Sequence, residues 1–385
     1  MCGKCCGNDW PVPADPEERK RISALEIPEM DLPPAKWFRN GYIAKRNGKC
    51  IFSTCDGKRC RIHEKHGLEV KALACRLYPL DIHAWEDGSI SASLRYDCPA
   101  VAGGEENSIS KAIVRIDQMA DEIAQYRRDP APAYSAKIHP SLDRLREIAS
   151  VYMKLMDWTD QDLKIGFLGA AGLLSFHSKK ENSSDITEAE TFEEDALAMM
   201  ERNLETLEFM LETSEGASHS TLVGFRYQLL SFLRNDNGLS FFKRFRRLKH
   251  HLDFMLGGAD LKIGEKTLSP LLHTVPAEKD AFIPFMRWLK GRLRALHFCG
   301  GAAFGITFEE GMRYLLLSLP AVTVIATVFS DGEKITRKDV VSALIQLDYS
   351  FLRTKLYRSR NLRRCAVMLT GWERYATLLK TCGPT

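Results

Sequence analysis

Eleven cysteines punctuate this chain of 385 residues, and their distribution is very uneven. Cys2, Cys5, Cys6, Cys50, Cys55, Cys60, Cys75 and Cys98 fall near the start, while only Cys299, Cys365 and Cys382 follow. Thiolates that converge at about 2.3 Å hold zinc, and thiolates also hold iron-sulfur clusters, but cysteines remote in sequence converge only where turns bring them together. Cys2 and Cys5 have the C-x2-C spacing that lets two sulfurs face one metal. Cys50, Cys55 and Cys60 are separated by four residues each, with Asp56-Gly57 turning the chain between the last two. Cys5 and Cys6 are adjacent, and neighbouring side chains of an extended segment point to opposite sides, so a cluster or two sites suits them better than one mononuclear ion.

The residues from Met1 to Cys6 contain no apolar stretch of the kind found in a signal peptide, which predicts a cytoplasmic protein whose thiols stay reduced. Metal is then expected in preference to disulfides. The formal net charge of +4 arises from mixed charges of both signs and carries no strong nucleic-acid signal. The most apolar segment, Tyr314 to Phe329, is shorter than the roughly 20 residues that span a bilayer and contains Pro320, so it is read as core, with no membrane partner. No paired carboxylates, H-E-x-x-H motif, nucleophile elbow or Walker loop supports a hydrolase or kinase.

The elements that must position the thiols differ from the rest of the chain. Residues 1–104 are rich in Cys, Pro and Gly and lack helical periodicity, which predicts loops, turns and short strands organised by metal. Ile82 to Trp85 and Ile90 to Arg95, joined by Glu86-Asp87-Gly88, are expected to form a hairpin that brings Cys75 and Cys98 near each other. After Gly103-Gly104 apolar residues recur at helical spacing. Helices are expected at 109–126, 141–157, 160–177, 187–213, 218–234, 239–256, 279–298, 308–329 and 336–357, the last opened by a capping box of Thr336 and Asp339. The fold class is therefore mainly α: an irregular Cys-rich metal-binding N-terminal module with a small β-hairpin over residues 1–104, followed by an α-helical bundle of unknown role over 105–385.

Other features have plainer readings. Gly166, Gly169 and Gly172 lack the dinucleotide spacing of a phosphate loop and point to close helix packing. The basic run from Lys243 to His250 reads as an amphipathic helix with Phe242, Phe245 and Leu248 toward the core, and Arg358, Arg360, Arg363 and Arg364 form a second basic group. His250, His251, Cys299, Cys365 and Cys382 have no spacing partner and are expected to be structural or surface residues.

Cys2-Gly3-Lys4-Cys5-Cys6, Gly48-Lys49-Cys50-Ile51-Phe52, Cys60-Arg61-Ile62-His63, Cys75-Arg76-Leu77-Tyr78-Pro79 and Asp97-Cys98-Pro99 occur in the order seen in one family. Over residues 1–104 the chain resembles the YkgJ-type cysteine-cluster family, a zinc- or iron-chelating domain related to flagellin lysine N-methylases. The resemblance implies metal ligation by Cys2, Cys5, Cys6, Cys50, Cys60, Cys75 and Cys98. It departs from the pattern in two places: the further upstream cysteine of the family would precede Met1, and Ile51 stands where proline usually follows. Cys55 is the candidate to replace the missing ligand. His63 could supply an imidazole to a zinc site, His66 less so, and Arg76 could reach a thiolate or a substrate anion or form a salt bridge.

Two functions follow as expectations. One is an iron-sulfur protein acting as a redox or protein-modifying enzyme, such as a protein lysine N-methylase, on a protein substrate; S-adenosylmethionine enters by family analogy alone. The other is a non-catalytic, zinc-stapled binding or scaffold protein.

Overall fold

The computed structural model describes residues 11–54, 56–104, 114, 116, 119, 122–123, 128–157, 162–179, 192–233 and 241–385. The expected helix at 109–126 falls almost wholly outside them. Fourteen α-helices and four two-stranded sheets occur among the described residues, so the protein is mainly α. It forms two compact units: residues 1–81 with 107–119 and 235–244, and residues 82–106 with 120–234 and 245–385.

The first unit contains α1 (Pro16–Ser23), the strand pairs β1 (Phe38–Arg39) with β2 (Tyr42–Ile43) and β3 (Lys45–Arg46) with β4 (Lys49–Cys50), then α2 (Arg61–His66) and α3 (Leu73–Leu77). Asn40 and Asn47 adopt positive φ beside Gly41 and Gly48, as two-residue hairpin turns require. The sequence leads one to expect metal, in place of an apolar core, to organise this module, but a shared apolar cluster is present. Ile22, Trp37, Phe52 and Ile62 are at most 2% exposed and form one apolar cluster with Val12, Ile43 and Ala72. Short elements share this core because no single one has a long apolar face.

The hairpin of β5 (Leu80–Ala84) and β6 (Ile90–Leu94) forms as expected, with Gly88 at φ +87° in the turn and the Asp87 carboxylate accepting from the Ser89 N–H. From Ile82 onward it belongs to the second unit, where α4 (Pro99–Ala102) follows it. The helices that follow are α5 (Leu142–Met156), α6 (Leu163–Lys179), α7 (Phe192–Thr213), α8 (His219–Leu233), α9 (Phe241–Leu256), α10 (Ile283–Ala295), α11 (Phe308–Phe329), α12 (Arg337–Ser350), α13 (Arg360–Leu369) and α14 (Trp372–Cys382). A small hairpin of β7 (Leu261–Ile263) and β8 (Lys266–Leu268) was not foreseen. At the start of α12 the backbone N–H of Thr336 donates to the Asp339 carboxylate, as the capping box predicts, and the Thr336 hydroxyl donates to the same carboxylate. That helix stops at Ser350, earlier than expected, and Leu352 adopts φ +55° just beyond it.

Helix α11 is the axis of the second unit and packs on α6, α12, α13 and α14. By length and composition it could cross a membrane, yet 83% of its most apolar window is buried by the rest of the chain, which is the environment of a core helix. Pro320 does not break it. A proline removes one N–H and orphans the carbonyl four residues earlier, here that of Leu316. The Tyr375 hydroxyl of α14 donates to this carbonyl at 2.6 Å and replaces the missing bond.

Two of the three glycines of α6 behave as expected of close packing. A Cβ on Gly166 would lie 2.6 Å from the Leu155 carbonyl oxygen, and one on Gly169 would lie 2.2 Å from the Met200 sulfur. In α9 the expected orientation needs correction. Leu248 is 46% exposed, while His251 and Phe254 are buried, so the core side of the helix is set by the latter pair; the Phe242 and Phe245 side chains lie outside the described ones.

Replacing Tyr375 by phenylalanine leaves the Leu316 carbonyl buried without its donor. A loss of about 1–3 kcal/mol is expected in denaturant unfolding of the full chain. Unchanged stability would show that the tyrosine does not compensate for Pro320.

Candidate metal centre

Cys50 ends β4, paired in register with Lys45. The chain then folds back on itself: Ser53 bridges to Cys60, the Thr54 N–H donates to the Arg59 carbonyl, and the Arg61 N–H donates to the Phe52 carbonyl. Asp56 and Gly57 make the turn, with Gly57 at φ +70° and the Lys58 N–H donating to the Asp56 carboxylate at 3.0 Å. Cys60 is the residue before α2, buried at 8% exposure. This fold brings the Cys50 and Cys60 thiols close enough to act on each other electrostatically. Burial pushes the Cys50 thiol up to about 11, and the neighbouring Cys60 adds to the rise, against the lowering effects of the Phe52 N–H, Lys45 and Lys71.

Cys75 lies on α3 and packs, half-buried, against the same apolar cluster as Cys50 and Cys60. What places that short helix is Glu18, a residue the motif reading missed. Its carboxylate is 4% exposed, accepts from the Leu73 N–H at 2.6 Å and from the Asp15 N–H at 2.9 Å, and so caps α3 and α1 at once. The signal was present as Asp15-Pro16-Glu17-Glu18, a capping box with proline at the first helical position.

Cys98 belongs to the second unit, where it precedes α4. Its segment is held by a carboxylate from far along the chain. Asp348 of α12 is fully buried and accepts from the Tyr96 N–H at 2.7 Å and the Asp97 N–H at 3.4 Å. The same carboxylate accepts from Trp288 Nε1 at 2.8 Å and from Arg292 at 2.6 Å, with Arg353 at 3.9 Å. Beside it, Arg95 clamps Asp97 through two hydrogen bonds of 3.1 and 2.6 Å. Burial alone would raise the Asp348 carboxyl, but Arg292, Arg353, the Trp288 N–H and Arg95 together hold it below the ordinary carboxylate range.

Cys2, Cys5, Cys6 and Cys55 lie outside the described residues. Among the described residues, no three His, Cys, Asp or Glu side chains converge as a metal site. The donor chemistry fits a soft metal: three thiols of the first unit share one apolar cluster. Ser53 supplies a second fit. Its hydroxyl is buried and has no hydrogen-bond partner among the described residues, in the bridge opposite Cys60. A metal-bound sulfur is an acceptor for such a hydroxyl.

The other candidates have local roles. His66 Nε2 lies 3.0 Å from the Glu26 carbonyl oxygen, His63 is half-buried on α2, and Arg76 is buried 3.9 Å from Glu69. Cys299, Cys365 and Cys382 lie in the second unit with thiols pushed up by burial; Cys382 reaches about 12.

Residues 1–98 match a family described as CxxCxxCC, putative zinc- or iron-chelating domain. No curated protein and no solved structure matches the chain.

Replacing Asp348 by asparagine leaves buried arginines without their counter-charge, and a destabilisation of about 3 kcal/mol is expected at neutral pH. Because the folded carboxyl is held below its unfolded value of about 4, its contribution is complete above that pH and is lost as pH falls through the folded value. Urea unfolding from pH 7 to pH 2 should therefore show an acid-dependent loss that the Asn variant lacks in part; parallel profiles for both proteins would contradict this.

Proposed function

We propose, from the premise that residues 1–98 of this chain are a cysteine-cluster domain of the zinc- or iron-chelating family, that the protein holds an iron-sulfur centre through Cys2, Cys5, Cys6, Cys50, Cys55, Cys60, Cys75 and Cys98. The observation that carries the reading is the fold of residues 50–60. It brings the Cys50 and Cys60 thiols within electrostatic reach of each other in an apolar setting, with the Ser53 hydroxyl, unpartnered among the described residues, at the same bridge.

Bound iron-sulfur clusters supply electron transfer or radical chemistry, whereas zinc bound by four thiolates supplies folding stability. The residues of the chain do the rest. Apolar burial at Cys50 keeps its proton in place in the absence of metal, so loading displaces that proton and weakens as pH falls. The cluster of Trp37, Phe52 and Ile62 limits water around the thiols and raises the strength of every charge interaction there. On this reading the helical unit serves a redox or protein-modifying role toward a protein side chain such as lysine, by analogy with the flagellin methylases that the sequence resembles. The family match itself supports metal chelation, and the enzymatic step rests on that analogy.

Purification of the full chain without oxygen tests this directly. Brown colour, broad visible absorbance, iron and acid-labile sulfide are expected, and Cys60→Ser and Cys75→Ser should each lose most of the metal while keeping the helical circular dichroism. A colourless protein with stoichiometric zinc would replace the redox reading by that of a zinc-stapled binding protein. Undiminished metal in both variants would overturn the ligand assignment.

A further inference from the structure

Within the second unit, α6, α7 and the first residue of α14 line a partly open cavity of about 690 Å³. That is within the range of small-molecule sites, roughly 300–1,000 Å³. Its walls are chiefly apolar and aromatic. The His177 ring stacks on Phe192 with centroids 5.0 Å apart and an interplanar angle of 26°, and Phe176 lies 5.6 Å from His177. Leu173, Ala196, Met199, Met200 and Leu207 add to the apolar lining, and Trp372 lines it from α14.

Two features of this cavity have no structural explanation among the described residues. The first is Gly172. Gly166 and Gly169 are required by close neighbours, but among the described residues a Cβ on Gly172 would meet nothing within 4 Å, and the residue lines the cavity with a helical backbone that needs no glycine. A glycine inside a helix costs about 1 kcal/mol relative to alanine. Here it leaves that stretch of the cavity wall without a side chain. The second is Trp372. Its Nε1 is buried and has no hydrogen-bond partner among the described residues, although an indole N–H taken out of water ordinarily finds an acceptor.

We propose that this cavity is a binding site for a small planar aromatic molecule that carries a hydrogen-bond acceptor. The wall without a side chain at Gly172 admits the ring system, the His177–Phe192 pair and Phe176 offer aromatic surface, and Trp372 Nε1 donates to the acceptor. The exposed side chains at the lining, Asp195 and Arg202, are of opposite sign, so the cavity selects for shape and one acceptor and not for net charge. The site is independent of the cysteine cluster, and its test does not require bound metal.

Prodan has the stated chemistry: a neutral naphthalene ring with one ketone oxygen, whose emission moves to the blue in apolar surroundings and back to the red when that oxygen accepts a hydrogen bond. Titration into the full chain should show saturable binding at one site. Gly172→Leu fills the cavity and should weaken binding at least tenfold. Trp372→Phe keeps a ring and removes the donor. It should weaken binding about five- to tenfold, the effect of one lost hydrogen bond, and shift the emission of the bound probe further to the blue. Leu271→Gln, which removes an apolar side chain 76% exposed to solvent, should change neither. Because Trp372 is only partly buried, its variant decides the question even if Gly172→Leu does not fold. Equal affinity and emission for Trp372→Phe and the parent, or loss of binding in Leu271→Gln, would overturn the proposal.

Discussion

A carboxylate removed from water stays ionised only where cations and N–H groups converge on it, and the helical unit is arranged around one such group. Asp348 satisfies its charge with Arg292 and Arg353, its second oxygen with the N–H groups of Tyr96 and Asp97, and its first with Trp288. Three stretches of chain are fixed by this arrangement: α12, which carries the carboxylate; α10, which carries Trp288 and Arg292; and the segment that leads into Cys98. The residues at the end of the family-matching region thus take their backbone conformation from a side chain in the helical unit. Local turn geometry alone does not hold that segment.

The first unit obeys a different constraint. Its elements are too short for any one of them to bury a continuous face, so apolar residues from α1, the hairpins, α2 and α3 pool into one cluster, and Cys50, Cys60 and Cys75 sit within it or against it. Glu18 is the polar counterpart of that pooling, since one carboxylate caps two helices whose apolar faces meet in the cluster. A thiol in such surroundings is a poor nucleophile while protonated and a good soft ligand once a metal takes the proton's place.

Much of this was legible in residue types and spacing. The long helices follow apolar periodicity, Thr336 and Asp339 marked the start of α12, and Asp87-Gly88 marked the first long hairpin. The last two helices were not foreseen, although Leu362, Ala366 and Leu369, then Tyr375, Leu378, Leu379 and Cys382, recur at helical spacing; the dense arginines before them masked the apolar stripe. The apolar cluster of the first unit was missed because its members are scattered singly over short elements, where periodicity carries no signal. Long-range polar partners were invisible for a related reason. Nothing near Asp348 in sequence announces Tyr96, and nothing near Pro320 announces Tyr375. Among the candidate ligands, the Asp56-Gly57 turn before Cys60 was legible, whereas the approach of Cys50 to Cys60 and the separate placement of Cys98 in the helical unit were not.

Sulfur ligation of a metal by the cysteines near the start of the chain is the interaction on which the proposed function depends. X-ray absorption at the metal edge, recorded on the full chain purified without oxygen, measures that bond directly. The prediction is a first shell dominated by sulfur at about 2.3 Å. A first shell of nitrogen and oxygen alone, at about 2.0–2.1 Å, would contradict it.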